Sequence, residues 1–287
     1  RHPMPYGNLL KSAVQRFETY ADLDKADCTI EEREEYEPHI ENGTVVFAGV
    51  DYEKILREAE KEADVILWDG GNNDLPFFKP DLHIVIADPL RAGQELIYHP
   101  GETNAMMADL LIINKIDSAT QEQIQTIKRN MQKINNSATI IEAKSPVSVQ
   151  DPKLIEGKHV LVVEDGPTLT HGNMSFGAGT VAANKFKAKE IIDPRPWAIG
   201  TIKEVFGTFQ QLGNVLPAMG YNKEQIEELE TTINNIPCDS VIVGTPIDIG
   251  KLMNINKPLV RVKYSLEEIG NPNLNDILTS FKKERGI

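Results

Sequence analysis

The stretch LLIINKIDSAT, Leu110–Thr120, decides how the rest of the chain is read. A run that is apolar on both faces is what a parallel strand needs between two helical layers. The polar quartet Asn114-Lys115-Ile116-Asp117 then falls at the strand's carboxyl end, where open α/β sheets bind their ligands. A carboxylate there accepts from both the N1–H and the exocyclic amine of guanine. A Lys stem covers the base face, and an Asn ties the loop together. Adenine lacks that donor pair. The same quartet also serves as a strand end followed by a helix N-cap, so taken alone it leaves both readings open.

Working outward, short β-branched runs alternate with amphipathic segments. Strands are expected at Val45–Val50, Val65–Asp69, His83–Asp88, Leu110–Asn114, Ala138–Ala143, His159–Asp165, Glu190–Asp193, Ser240–Thr245 and Leu259–Tyr264. Between them, Thr29 and Glu32 make a capping box in TIEEREEYEPHI, a helix expected to stop at Pro38. Its acidic run reads as a solvated face, with a nucleotide-responsive switch as the sharper alternative. Further helices are expected from Tyr52, over ATQEQIQTIKRNMQKI with Ile124, Ile127, Met131 and Ile134 in one stripe, and over NKEQIEELETTINNI and NLNDILTSFKKERG. The βαβα order predicts a doubly wound, mostly parallel α/β sheet of the P-loop NTPase kind with a C-terminal α/β extension. AKSPVSVQDPKLIEGK is the weakest stretch of continuity, placing domains at 1–150 and 151–287.

The 287 residues are 40% hydrophobic and 25% charged, with a net charge of −13. That acidity argues against nonspecific nucleic-acid or anionic-membrane partners. Cys28 and Cys238 are isolated thiols, which fits a reducing, cytoplasmic setting better than a disulfide framework or zinc site. No apolar run approaches the ~20 residues that span a bilayer. RHPMPYGNLL, at the start, has neither a signal-peptide hydrophobic region nor an initiator Met. A homo-oligomer remains open.

Other strand ends carry candidate chemistry. Asp69, in ADVILWDGGNNDLP, is a candidate Mg²⁺ ligand, and Gly70 and Gly71 would admit a phosphate beside the backbone. A plain Asp-Gly turn is the alternative. Asp88, Arg91, His99, Glu102, Thr103 and Asn104 crowd one connection between strands. Among them Arg91 is the natural anion clamp and His99 a candidate proton shuttle. Ser145 follows the next strand, where backbone contact with a base is expected. In VLVVEDGPTLTHGNMSFGAGTVAA, Asp165, Thr168 and His171 precede a glycine-rich turn into a helix, a candidate anion site. Arg195 sits between prolines in DPRPWAIG. Turn chemistry is the simpler account of these last two stretches. Yet no GxxxxGK[ST] phosphate loop occurs in the sequence.

RHPMPYG, TIEEREEYEPHI, EADVILWDGGNNDLPFF, PDLHIVIADP, HPGETN, INKID, VLVVEDGPTLTHG, DPRPWA, LPAMGY and GTPIDIGKL together resemble a family of P-loop GTPases related to cyclic 2,3-diphosphoglycerate synthetase. The resemblance runs through nearly the whole chain. It implies an additional N-terminal region carrying the P-loop, so that this chain would be a C-terminal portion whose partner is the missing region of the same protein. It also implies that Asp69 is the Walker-B-type carboxylate, that Asn114, Lys115 and Asp117 read the base, and that Ser145 lies in the following base loop. The cofactors implied are Mg²⁺ with GTP or ATP. The reaction implied is nucleotide-driven cyclisation of a small phosphorylated acid, for which Arg1, His2, Arg91, His99, His171 and Arg195 are the collective cationic candidates. The other functions weighed are a regulatory GTPase acting on a protein partner and a non-catalytic ligand-binding module.

Overall fold

The computed structural model describes residue 10 and residues 12–71, 74–220 and 223–286. Arg1 and His2 lie outside the described residues. In chain order the elements are β1 (Gln15–Phe17), α1 (Tyr20–Lys25), α2 (Ile30–Glu41), β2 (Val46–Ala48), α3 (Tyr52–Ala59), β3 (Ile84–Ala87), α4 (Gly101–Met107), β4 (Leu110–Ile113), α5 (Gln121–Ile134), β5 (Thr139–Lys144) and β6 (Val147–Val149). They continue with β7 (His159–Asp165), α6 (Gly166–Thr170), α7 (Ala178–Lys185), β8 (Glu190–Ile191), α8 (Gly200–Thr208), β9 (Leu216–Ala218), α9 (Lys223–Asn235), β10 (Ser240–Gly244), α10 (Ile249–Leu252), β11 (Leu259–Tyr264), β12 (Glu267–Ile269) and α11 (Leu274–Arg285).

The chain forms two compact units. One holds the described residues through Glu62 together with Val147–Lys263, and the other holds Ala63–Pro146 together with Tyr264 onward. A boundary therefore falls between Pro146 and Val147, inside the stretch of weak continuity. The two ends of the chain nevertheless cross over: residues up to 62 join the later unit, and the last helix joins the earlier one.

In the unit around Ala63–Pro146, the sheet order is β12-β5-β4-β3. β3, β4 and β5 are parallel, and β12 is antiparallel to β5. Alternation of side chains across the strand explains the greasy run. Leu111 and Ile113 pack with Ile124, Ile127 and Met131 of α5, while Leu110 and Ile112 face Leu274 and Ile277 of α11. Thr120 caps α5 with Gln123 answering in a reciprocal box.

The strand expected at Val65–Asp69 does not form; that segment is irregular. Its apolar residues Val65 and Leu67 are 59% and 80% exposed. A strand needs a ladder partner, and the sheet ends at β3. On β3 itself Val85 and Ala87 turn into the core, whereas Ile86 is 64% exposed.

In the other unit, β6, β11, β10, β7 and β8 are neighbours in that order, and β9 pairs with the second half of β7. β11, β10, β7, β8 and β9 are parallel. Leu161 and Val163 pack towards Leu229 and Ile233 of α9, and Val160 and Val162 towards Ala182 and Ala183 of α7. A smaller antiparallel pair, β1 with β2, carries α1 and α2 over a cluster of Phe17, Leu23, Tyr36, Val46 and Ala48.

Helix α2 corrects two expectations. It runs through Pro38 to Glu41, the proline falling in its last turn, where its ring displaces only one ladder bond. It is also not a solvated face: Arg33, Glu34 and Glu37 are buried. Arg33 donates to Glu37 at 3.2 Å and pairs with Asp24, and Thr245 donates to Glu34 at 2.5 Å. Partners inside the unit make that burial tolerable.

Candidate functional site

In the unit around Ala63–Pro146, the carboxyl edges of β3, β4 and β5 bring the base-loop candidates together. Asn114 N donates to Ala87 O at 3.0 Å, and Ile116 N to Ala143 O at 3.2 Å, so the loop is stitched to both neighbouring strands. Lys115, between those two bonds, takes φ = 56°. A left-handed backbone at a lysine costs of order 1 kcal/mol and persists only where its surroundings hold it. Asn114 Oδ1 is buried and accepts no hydrogen bond among the described residues.

Exposed Asp117 accepts from Ser145 N at 3.0 Å through Oδ1. Lys115 Nζ reaches Asp88 Oδ2 at 2.9 Å, and Arg91 Nη2 approaches the same oxygen at 3.3 Å. Asp88 Oδ1 accepts from Leu90 N at 3.0 Å, capping the 3-10 turn Pro89–Arg91. Asn114, Lys115, Asp117, Ser145, Asp88 and Arg91 thus meet at one sheet edge. Arg91 is engaged by Asp88.

The remaining candidates on this unit stand apart. His99 and Glu102 are exposed on the β3–β4 connection, with Thr103 half-buried on α4, and no hydrogen bond ties their side chains to the Asp88 cluster among the described residues. Asn104, also on α4, is buried and donates from Nδ2 to Asp74 O at 2.8 Å. Gly71 N donates to Asp74 Oδ2 at 3.1 Å, so the turn after Asp69 is anchored to α4. Asp69, Gly70 and Gly71 are exposed and lie on irregular chain, not at the end of a strand beside β4. The strand expected to end at Asp69 is therefore absent, because it has no partner to form against. No three His, Cys, Asp or Glu side chains converge as a metal site among the described residues.

In the other unit, the sheet reverses direction of growth at β7, with β8 and β9 on one flank and β10 on the other. That crevice is the position where doubly wound sheets bind ligands. Here the protein fills it. Glu164, 1% exposed, accepts from Gly177 N at 3.0 Å, Gly179 N at 2.9 Å, Thr180 N at 2.7 Å and Thr180 Oγ1 at 2.9 Å. The anion expected at this helix start is thus the protein's own carboxylate. Burial pushes the Glu164 carboxyl above its ordinary range, against the pull of its donors. Gly244 opposite must lack a side chain: a Cβ there would lie 2.2 Å from Glu164 Oε2. An acidic residue ending a strand just before a glycine-rich turn was the sequence signal for this arrangement.

Other anion-site candidates in that unit are also spoken for. Asp165 caps α6, accepting from both the backbone and the hydroxyl of Thr168. His171 is exposed, its Nδ1 3.0 Å from Thr170 Oγ1. Arg195 donates to Asp193 Oδ1 at 2.8 Å and to Leu212 O, and lies over the Phe206 ring. A guanidinium so engaged ties the loop together.

Residues 57–142 match the family model of the CobW/HypB/UreG nucleotide-binding domain. The matched stretch has a P-loop NTPase-like α/β fold. It contains β3, β4 and the Asn114–Asp117 loop. The chain is 64% identical over 283 residues to a protein named arginine synthetase ArcE from Thermococcus kodakarensis, a match covering 99% of this chain and 63% of that relative. It is 27% identical over 116 residues to a cyclic 2,3-diphosphoglycerate synthetase from Thermococcus sibiricus, covering 40% of this chain and 26% of that protein. The chain spans less than two thirds of the length of either relative. No helix among the described residues is long and apolar enough to cross a membrane.

Proposed function

We propose that this chain belongs to a nucleoside-triphosphate-dependent synthetase whose nucleotide base is seated on Asn114, Lys115, Asp117 and Ser145, and whose product is arginine. The observation that carries the nucleotide half is the stitched loop at the carboxyl edge of β4, with Asp117 bonded to Ser145 N at 3.0 Å. Support for the product half comes from 64% identity to a protein named arginine synthetase. One carboxylate oxygen is held by Ser145, and the carboxylate as a whole complements the paired donors of guanine. ATP would be read instead through backbone groups of the same loop.

Triphosphate binding needs a backbone cradle that this sequence lacks. We assign it to another part of the same polypeptide. The open edge of β3 and the exposed Val65, Leu67 and Ile86 are an apolar surface suited to such a part.

Making arginine from a ureido amino acid requires the ureido oxygen to leave. Transfer of the terminal phosphoryl group to that oxygen, followed by attack of ammonia at the carbon, releases inorganic phosphate and balances the reaction as amino acid, ammonia and triphosphate to arginine, diphosphate and phosphate. A second reading, cyclisation of 2,3-diphosphoglycerate, draws on the more distant similarity. The regulatory-GTPase alternative draws on the same Asn114–Asp117 loop and on the acidic segment of α2 as a nucleotide-responsive switch.

The test uses the full polypeptide with Mg²⁺ and either GTP or ATP. Arginine formed from citrulline and ammonium is measured by amino-acid analysis, and a parallel reaction with 2,3-diphosphoglycerate is followed by ³¹P NMR. Triphosphate-dependent arginine formation supports the proposal. A cyclic pyrophosphate without arginine selects the second reading, and hydrolysis indifferent to both substrates rejects the two together.

A further inference from the structure

Asp88 makes contacts that a strand-end carboxylate does not need for capping alone. Its side chain is 12% exposed. One oxygen caps the 3-10 turn through Leu90 N at 3.0 Å, while the other takes Lys115 Nζ at 2.9 Å and Arg91 Nη2 at 3.3 Å. Lys115 stands on a different strand exit, and its side chain is still 40% exposed. A lysine of that exposure ordinarily samples many rotamers. Here its two ends are both held, the backbone by the left-handed turn at φ = 56° and the ammonium by Asp88. The aliphatic stem between them is therefore stretched along the rim of the base loop before any ligand arrives.

We propose that Asp88 is a positioning residue for the nucleotide base: it fixes the course of the Lys115 stem, so that the surface against which the base stacks is ordered in advance. This rests on the base-seating role of Asn114–Asp117 proposed above. The gain comes from preorganisation, since a side chain already immobilised is not ordered at the expense of binding. Asp88 touches no base in this account and acts only through Lys115.

Asp88→Asn isolates the effect. Asparagine caps a turn as well as aspartate does, so the Leu90 N contact survives while the attraction for Lys115 is lost. In the full polypeptide, calorimetric binding of GDP is expected to weaken about three- to tenfold. Lys115→Met keeps the stem and frees it from Asp88; it should give a similar loss, and adding Asp88→Asn to it should cost nothing more. Inorganic pyrophosphate, which has no base, should bind the variants and the parent equally. Unchanged nucleotide affinity in Asp88→Asn, or an equal loss for pyrophosphate through the released Arg91, overturns the proposal. Asp117→Ala, measured alongside, separates the two levels. If it weakens nucleotide binding and Asp88→Asn does not, only the positioning role fails. If it too has no effect, the base-seating reading fails and the positioning role falls with it.

Discussion

Asp117 Oδ1 accepts the backbone N–H of Ser145 at 3.0 Å, joining the exits of β4 and β5 across 28 residues of sequence. The bond aims a carboxylate along the sheet edge and leaves its other oxygen for a ligand. Loss of a charge-assisted hydrogen bond is worth roughly 1.5–3 kcal/mol. Asp117→Ala should therefore weaken guanine-nucleotide binding at least tenfold and leave adenine-nucleotide binding within about twofold. Competition titrations with GDP and ADP on the full polypeptide read this ratio, and equal losses for both would show that the carboxylate reads no guanine edge.

Glu164 closes the crevice between β7 and β10 with four hydrogen bonds to the start of α7. Glu164→Ala leaves those donors buried without an acceptor, at a cost of about 1–3 kcal/mol for each donor left unpaired. The vacated cradle faces a helix N-terminus, a natural seat for an anion. Adding sulfate should raise the melting temperature of Glu164→Ala by more than it raises that of the parent. A parallel rise in both would show that the donors had found other partners.

Arg33 and Glu37 make a buried pair on one face of α2, with Glu37 3% exposed. Burial raises the Glu37 carboxyl above its ordinary value, and Arg33 opposes that rise. Arg33→Ala removes the opposition and should destabilise the fold by about 3 kcal/mol at neutral pH. A raised carboxyl pKa penalises the fold above that pKa, where the unfolded state holds the charge more readily, and the penalty vanishes as pH falls through it. The deficit of Arg33→Ala relative to the parent should thus shrink from pH 7 towards pH 4. Denaturant unfolding across that range checks the sign, and a deficit that grows on acidification would contradict it.

Cys28 and Cys238 are unlinked thiols, both partly buried. Burial pushes the Cys28 thiol up to about 12 and moves Cys238 in the same direction. The thiolate is the reactive form. Native protein at pH 8 should react with a thiol reagent orders of magnitude more slowly than the urea-unfolded chain, in which both cysteines should titrate promptly. Fast stoichiometric labelling of the native protein would count against the burial of these two residues.

Local pattern and chemistry carried much of the fold. The apolar run Leu110–Ile113 announced a strand buried on both faces, and the Thr120–Gln123 box placed the start of α5, because strand alternation and end-capping are decided by neighbours in sequence. The Asn114–Asp117 loop was legible for the same reason: its groups lie within four residues of one strand end. What depends on partners far along the chain was not legible. Val65–Asp69 has the composition of a strand and remains irregular because strand formation needs an adjacent edge, which no local pattern reports. The acidic face of α2 looked solvated until Thr245, more than 200 residues away, was seen to meet Glu34. A glycine-rich turn looked ready for a foreign anion, yet the packing of β7 against α7 supplies Glu164. Sequence alone settled most of the elements and the polar make-up of the loop after β4, since those are short-range properties. Which charges are already satisfied, and which face remains open, was decided by tertiary structure, because electrostatic neutralisation and burial are set by groups that only folding brings within contact distance.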